Sequence, residues 1–133
     1  MIVILDASAA ANVVLNSKRA NIFNTSLKKA DWVIAPDLFV SEISNVFWKY
    51  HRFEKLSQSE CEVFIDNSIQ LIDDFILTTS LYKEAFSFAC QTQHTVYDAL
   101  YMVLTRRQNG HLASADKNLI RTARQHSIKV INI

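Results

Sequence analysis

Met1-Ile2-Val3-Ile4-Leu5-Asp6 opens the chain with five apolar residues that stop on an acid, and the same pattern returns at His111-Leu112-Ala113-Ser114-Ala115-Asp116. A short run that is apolar at nearly every position, not at alternate ones, reads as a strand buried on both faces. Trp32-Val33-Ile34-Ala35 is a third such run. Strands of this kind belong to parallel sheets with helices on both sides. An acid just past one of them lies at the carboxyl edge of the sheet, where open parallel sheets place their functional groups.

Between these runs the spacing of apolar residues changes to a helical period. Helices are expected over about 8–16, 18–29, 37–53, 57–72, 81–91, 96–107 and 117–125. Ser57-Gln58-Ser59-Glu60 and Thr95-Val96-Tyr97-Asp98 both read as capping boxes at helix starts. Phe75 to Thr78 reads as a short strand or an irregular connection, and Ile128-Lys129-Val130-Ile131-Asn132 as a last strand. The expected fold is therefore α/β, a three-layer α/β/α sandwich around a parallel sheet. The 133 residues suit a single domain spanning 1–133, and half of the chain is apolar, enough for a continuous core.

Composition excludes several activities. One Gly and one Pro in the whole chain leave no glycine-rich loop for a pyrophosphate, so dinucleotide and P-loop chemistry are not expected. Cys61 and Cys90 are far apart and lack a metal-type histidine pattern, so they read as buried thiols. No apolar run is long enough for a membrane span, and the amino terminus begins on a strand pattern, so a cytoplasmic protein is expected. The formal net charge of +1 hides an asymmetry. Residues 54–84 hold seven acids against two lysines, whereas residues 99–133 hold six basic residues against Asp116. Arg106, Arg107, Lys117, Arg121 and Arg124 are the candidate contacts to a phosphate backbone, with solvated helix faces as the plainer alternative.

Four acids stand out by position: Asp6 and Asp116 after apolar strands, Glu42 and Asp98 near helix starts. Each has an ordinary explanation. Asp6 reads as a strand-to-helix turn residue, Asp116 as an N-cap, Asp98 as the closing acid of a capping box, and Glu42 as a boundary residue at the edge of a Phe39, Ile43, Val46, Tyr50, Phe53 stripe. Should the four converge, their repulsion calls for a cation, and metal-assisted hydrolysis of a phosphate ester is the natural use. Trp48, with neighbours such as Phe47, falls off the stripe and reads as an exposed apolar patch able to anchor a partner.

The segments Met1-Ile2-Val3-Ile4-Leu5-Asp6-Ala7-Ser8, Ser41-Glu42-Ile43-Ser44-Asn45, Thr95-Val96-Tyr97-Asp98-Ala99-Leu100-Tyr101 and Leu112-Ala113-Ser114-Ala115-Asp116 resemble, in order and spacing, the four motifs of PIN-domain ribonucleases, most closely VapC-type toxins. The resemblance implies a Mg²⁺- or Mn²⁺-dependent endoribonuclease, a homodimer, and a VapB-type antitoxin partner. Carried over by motif, Asp6, Glu42, Asp98 and Asp116 are the metal-binding acids. Ser8 and Ser114 are supporting hydroxyls, Ser114 standing where relatives more often have Thr. Where some relatives add another acid after the last aspartate, this chain has Lys117 and Asn118. The alternatives are a PIN-like module that binds RNA or protein without cutting, and a receiver-like signalling domain. The latter calls for a second acid beside Asp6, which Ala7 and Ser8 do not supply.

Overall fold

Val3, Ile4 and Leu5 are fully buried, as a strand covered on both faces must be. In the computed structural model, which describes residues 1–131, they form β1 (Ile2–Leu5). The elements that follow are α1 (Ala7–Val14), α2 (Ala20–Lys29), β2 (Trp32–Pro36), α3 (Leu38–Glu54), α4 (Gln58–Gln70), β3 (Asp74–Ile76), a 3-10 turn (Thr78–Ser80), α5 (Tyr82–Thr92), α6 (Val96–Gln108), β4 (His111–Ala113) and α7 (Lys117–Gln125). The sheet is parallel throughout, in the order β3-β2-β1-β4. Helices cover it to give the expected three-layer α/β/α arrangement. Helix α6 packs across β1, β2 and β4 and carries α5 on its outer side, while α1 gathers α2, α3 and α4. No helix among the described residues is long and apolar enough to cross a membrane.

β1 has β2 on one side and β4 on the other, so the connections leaving it diverge. Such a switch point opens a crevice at the carboxyl ends of the strands. The register Leu5↔Ala113 and the Asp6 amide donating to the Ala113 carbonyl at 3.1 Å set the two strand ends level. Gly110 makes this approach possible, because a Cβ there would lie 2.9 Å from the Ile2 carbonyl oxygen and 2.6 Å from Ile4 Cδ1.

Several expectations need correction. The buried residues of α3 are Phe39, Ile43 and Phe47; Phe53 is 66% exposed, so the stripe ends before the last turn. Phe47 belongs to the core because α4 covers it, stacking Phe64 at 5.4 Å and donating the Cys61 thiol to the Phe47 carbonyl. Of the two free cysteines Cys61 is buried, but Cys90 is exposed on α5. Of the two readings of the segment after α4, the short strand is the one that forms, as β3. The expected final strand is reduced to a parallel bridge between Val130 and Leu112, and its Asn132 lies outside the described residues.

Candidate active site

Asp6 ends β1 and caps α1, its Oδ1 accepting from the Ala9 amide at 2.9 Å and the Ser8 hydroxyl at 2.7 Å. Asp116 caps α7 in the same way, Oδ1 accepting from the Asn118 and Leu119 amides at 2.9 and 3.2 Å. The ordinary explanation of both residues therefore holds, and the caps occupy Oδ1 alone. Thr95 caps α6 by accepting from the Asp98 amide at 3.1 Å. The reciprocal half of that capping box is not formed among the described residues, which leaves the Asp98 carboxylate without a hydrogen bond. Glu42, in the second turn of α3, is half-buried and accepts from the Tyr101 hydroxyl at 2.6 Å.

All four acids line one cleft of about 240 Å³ at the switch point, together with Ser8, Asn45, Lys49 and Tyr101. Asp6 is its buried floor, Glu42 and Asp98 are half-buried, and Asp116 is at the exposed rim. Their charges act on one another in a closed ring. Asp116 acts on Asp6, Asp6 and Asp98 act on Glu42, and Asp116 acts on Asp98.

The protonation of the acids reflects that crowding. Burial pushes the Asp6 carboxyl up to about 6 despite hydrogen bonds from Ser114, Ala9 and Ser8, and the Asp116 charge adds to the rise. Burial also raises Glu42, against the Tyr101 hydrogen bond and with the help of Asp6 and Asp98. Asp98 is raised by burial and by Asp116, with His94 opposing. Tyr101 is driven far above the ordinary phenol value by burial and then by the Glu42 charge, so it stays a proton donor.

Ser8 and Ser114 tie the two strand ends together. The Ala115 amide donates to Ser8 Oγ at 2.9 Å and the Asp116 amide to Ser114 Oγ at 3.0 Å. The two hydroxyls are 3.3 Å apart. Both hydroxyls also donate to the Asp6 carboxylate. Both hydroxyls thus orient carboxylates.

A cleft in which four carboxylates outnumber the single Lys49 ammonium, with hydroxyl and amide oxygens beside them, suits a hard divalent cation. Among the described residues no group of three or more His, Cys, Asp and Glu is gathered to hold an ion as it stands. Mg²⁺ commonly takes only one or two carboxylates and keeps several waters, so the open arrangement still fits it.

Tyr101, Asn45 and Lys49 escaped the reading of the sequence, yet their spacing carries the signal. Asn45 and Lys49 lie three and seven residues after Glu42, and Tyr101 three after Asp98, so each shares a helix face with its acid. The five basic candidates divide. Lys117, Arg121 and Arg124 lie together on α7 with Arg19, whose guanidinium donates to the Ala115 carbonyl at 3.3 Å. Arg106 and Arg107 are at the other end of α6 from Asp98, paired with Glu84 at 2.8 and 2.7 Å, and do not join that group. Burial pushes the Glu84 carboxyl up, but these two partners outweigh it and hold it below its ordinary value.

The chain matches the PIN domain family model over residues 3–125. Ribonuclease VapC3 of Pyrobaculum aerophilum is 27% identical over 125 residues, spanning 90% of this chain and 92% of that protein. Among solved structures, the crystal structure of PAE2754 from Pyrobaculum aerophilum covers 98% of this chain and 83% of its own, with a TM-score of 0.75 at 16% identity. At that identity the likeness is one of fold.

Proposed function

The chain belongs to the PIN-domain family, and from that premise we propose that it is a divalent-cation-dependent endoribonuclease, the toxin of a VapBC-type toxin–antitoxin pair acting in the cytoplasm. The observation that carries the chemistry is the closed ring of four carboxylates, drawn from four separate elements onto one cleft at the switch point. The likeness to Ribonuclease VapC3 supports RNA as the substrate.

Asp6, Glu42, Asp98 and Asp116 are the residues that would hold Mg²⁺ or Mn²⁺. When bound, such an ion polarises a phosphate ester as a Lewis acid and offsets the mutual repulsion of the acids. The protein's own groups set the stage for hydrolysis. Tyr101 fixes the orientation of Glu42, and Ser8 holds Asp6 Oδ1. Asp98, free of hydrogen bonds among the described residues, can turn toward an incoming phosphate. A carboxylate of the ring not engaged by the ion would take the proton of an attacking water. Hydrolysis of this kind leaves 5′-phosphate and 3′-hydroxyl ends.

Association is part of the same proposal. Trp48, 53% exposed, meets the exposed Phe53 edge-on at 6.2 Å, an uncovered aromatic pair at the end of α3. Lys49 lines both the acidic cleft and the small pocket beside Phe53, so the two surfaces adjoin. We place an antitoxin segment on Trp48 and Phe53, delivering a basic side chain to the carboxylates, and expect the toxin to be a homodimer.

The test is cleavage of single-stranded RNA and of single-stranded DNA of matching sequence, in Mg²⁺, in Mn²⁺ and in EDTA. RNA cut only when an ion is present, with 5′-phosphate products, is the expected outcome. Intact RNA after incubation of folded protein with either ion contradicts the proposal.

A further inference from the structure

The acidic cleft creates an electrostatic difficulty for its own substrate. Four carboxylates that repel one another also repel a phosphodiester, so the strand needs a source of attraction close by. Helix α7 separates that cleft from a larger one. Asp116 and Leu119 face the acids, whereas Lys117, Ile120, Arg121 and Arg124 face the other cleft, which α2 closes with Arg19 and Ile22. This second cleft holds about 520 Å³, room for nucleotides, and among the described residues none that lines it is acidic.

Two links join it to the candidate active site. Lys117 directly follows Asp116, and Arg19 is hydrogen-bonded to the Ala115 carbonyl, in the turn that carries Ser114 and Asp116. Among the described residues the lining has no aromatic side chain to serve as a platform for stacking a base. Ile22 and Ile120 offer an apolar floor beneath the cations. This combination suits backbone phosphates and sugars without regard to sequence.

We propose that the α2–α7 cleft is a phosphate subsite for the RNA strand whose scissile bond lies in the acidic cleft across α7. The inference rests on the ribonuclease reading and adds where the strand runs beyond the reacting bond. Lys117 and Arg121 are its principal contacts, and Arg19 anchors the cleft to the β4–α7 turn.

The test is fluorescence anisotropy of a labelled single-stranded RNA of about 12 nucleotides, long enough to cross both clefts. It is performed in EDTA with the Asp98→Asn protein, so that no cutting intervenes, across a range of KCl concentrations. Adding Lys117→Ala and Arg121→Ala removes two phosphate contacts. The slope of log K against log salt should flatten by about 1.4, at roughly 0.7 per single-strand contact, and affinity at low salt should fall on the order of tenfold. Lys28→Ala with Lys29→Ala, exposed in the last turn of α2, serves as the control and should leave the slope unchanged.

An unchanged slope in the Lys117, Arg121 variant overturns the subsite, as does equal flattening by the Lys28, Lys29 pair. A poly-glutamate peptide that binds as tightly as RNA, with the same sensitivity to Lys117 and Arg121, assigns the cleft to an acidic protein segment instead. Failure of the ribonuclease reading is seen separately, as wild-type protein that does not cut RNA. Failure of the subsite alone is an unaltered slope in a protein whose wild type does cut.

Discussion

Replacing Asp6 by Asn should make the ion-free protein more stable at pH 8. Asp6 is 6% exposed, and its carboxyl is pushed from 3.8 to about 6. Below the unfolded value both states carry the proton and the group has no effect. Between the two values the folded protein keeps the proton that the unfolded chain releases, so stability falls as pH rises; above about 6 the full cost of a buried carboxylate is present. Roughly two pH units at 1.36 kcal/mol each set that cost at about 3 kcal/mol. Asn keeps an oxygen to accept from Ala9 and Ser8, so the cap survives the change. Some cost of burying the amide remains, and the expected net gain is about 1–3 kcal/mol at pH 8. Urea denaturation in EDTA, followed by the fluorescence of Trp32 and Trp48, measures it. Most of the gain should be gone at pH 4. A variant no more stable than wild type at pH 8, or equally favoured at both pH values, would refute the reasoning.

Other perturbations reach different parts of the account. Ser8→Ala leaves the Ala115 amide without its acceptor and takes one of the donors from Asp6, so stability should fall by about 1–3 kcal/mol in thermal or urea unfolding. Tyr101→Phe removes the donor that orients Glu42. The Mn²⁺ concentration for half-maximal cleavage should then rise about tenfold, in the range seen when partners of ligating groups are lost, and an unchanged requirement would detach Tyr101 from the site. Gly110→Ala forces a Cβ against the Ile2 carbonyl, so β4 must shift, at a cost of about 1–3 kcal/mol in denaturant. Sedimentation at micromolar concentration should find a dimer, and a monomer there would remove the homodimer.

The parts of the fold that were legible are those decided by local chemistry. β1, β2 and β4 are apolar runs buried where such runs must be, and the Ser57 and Thr95 hydroxyls accept from the Glu60 and Asp98 amides as the capping patterns indicate. Tertiary cover was less legible. Periodicity defines a face of α3 but cannot say which turns of that face have something packed over them. Phe47 is buried because α4 arrives above it, whereas Phe53 stays exposed, its ring meeting Trp48 and Arg52 of its own helix among the described residues. The tail likewise needed a partner, for Val130 reaches only a bridge to Leu112.

Legibility of the site followed the same division. Asp6 and Asp116 are visible as strand-end caps, and the caps do form, yet both residues still line the one cleft, so capping and convergence do not exclude one another. Tyr101 and Lys49 come to the cleft through helix faces whose direction only the packed structure sets. Counting basic residues grouped Arg106 and Arg107 with Lys117 and Arg121. The structure separates them, because Glu84 on α5 holds the first two at the far end of α6.

Asp98 offers the most direct test of the central claim, because its carboxylate has no hydrogen bond among the described residues, while the other three acids serve as caps or bind Tyr101. The measurement is the rate of Mn²⁺-dependent cleavage of single-stranded RNA by Asp98→Asn beside wild type, with the fold checked by circular dichroism. If the four acids form one cation site, the variant folds normally and cuts at least about 100-fold more slowly, as expected when a group that stabilises the reacting charge is lost. Wild-type cleavage by a folded Asp98→Asn protein contradicts the account.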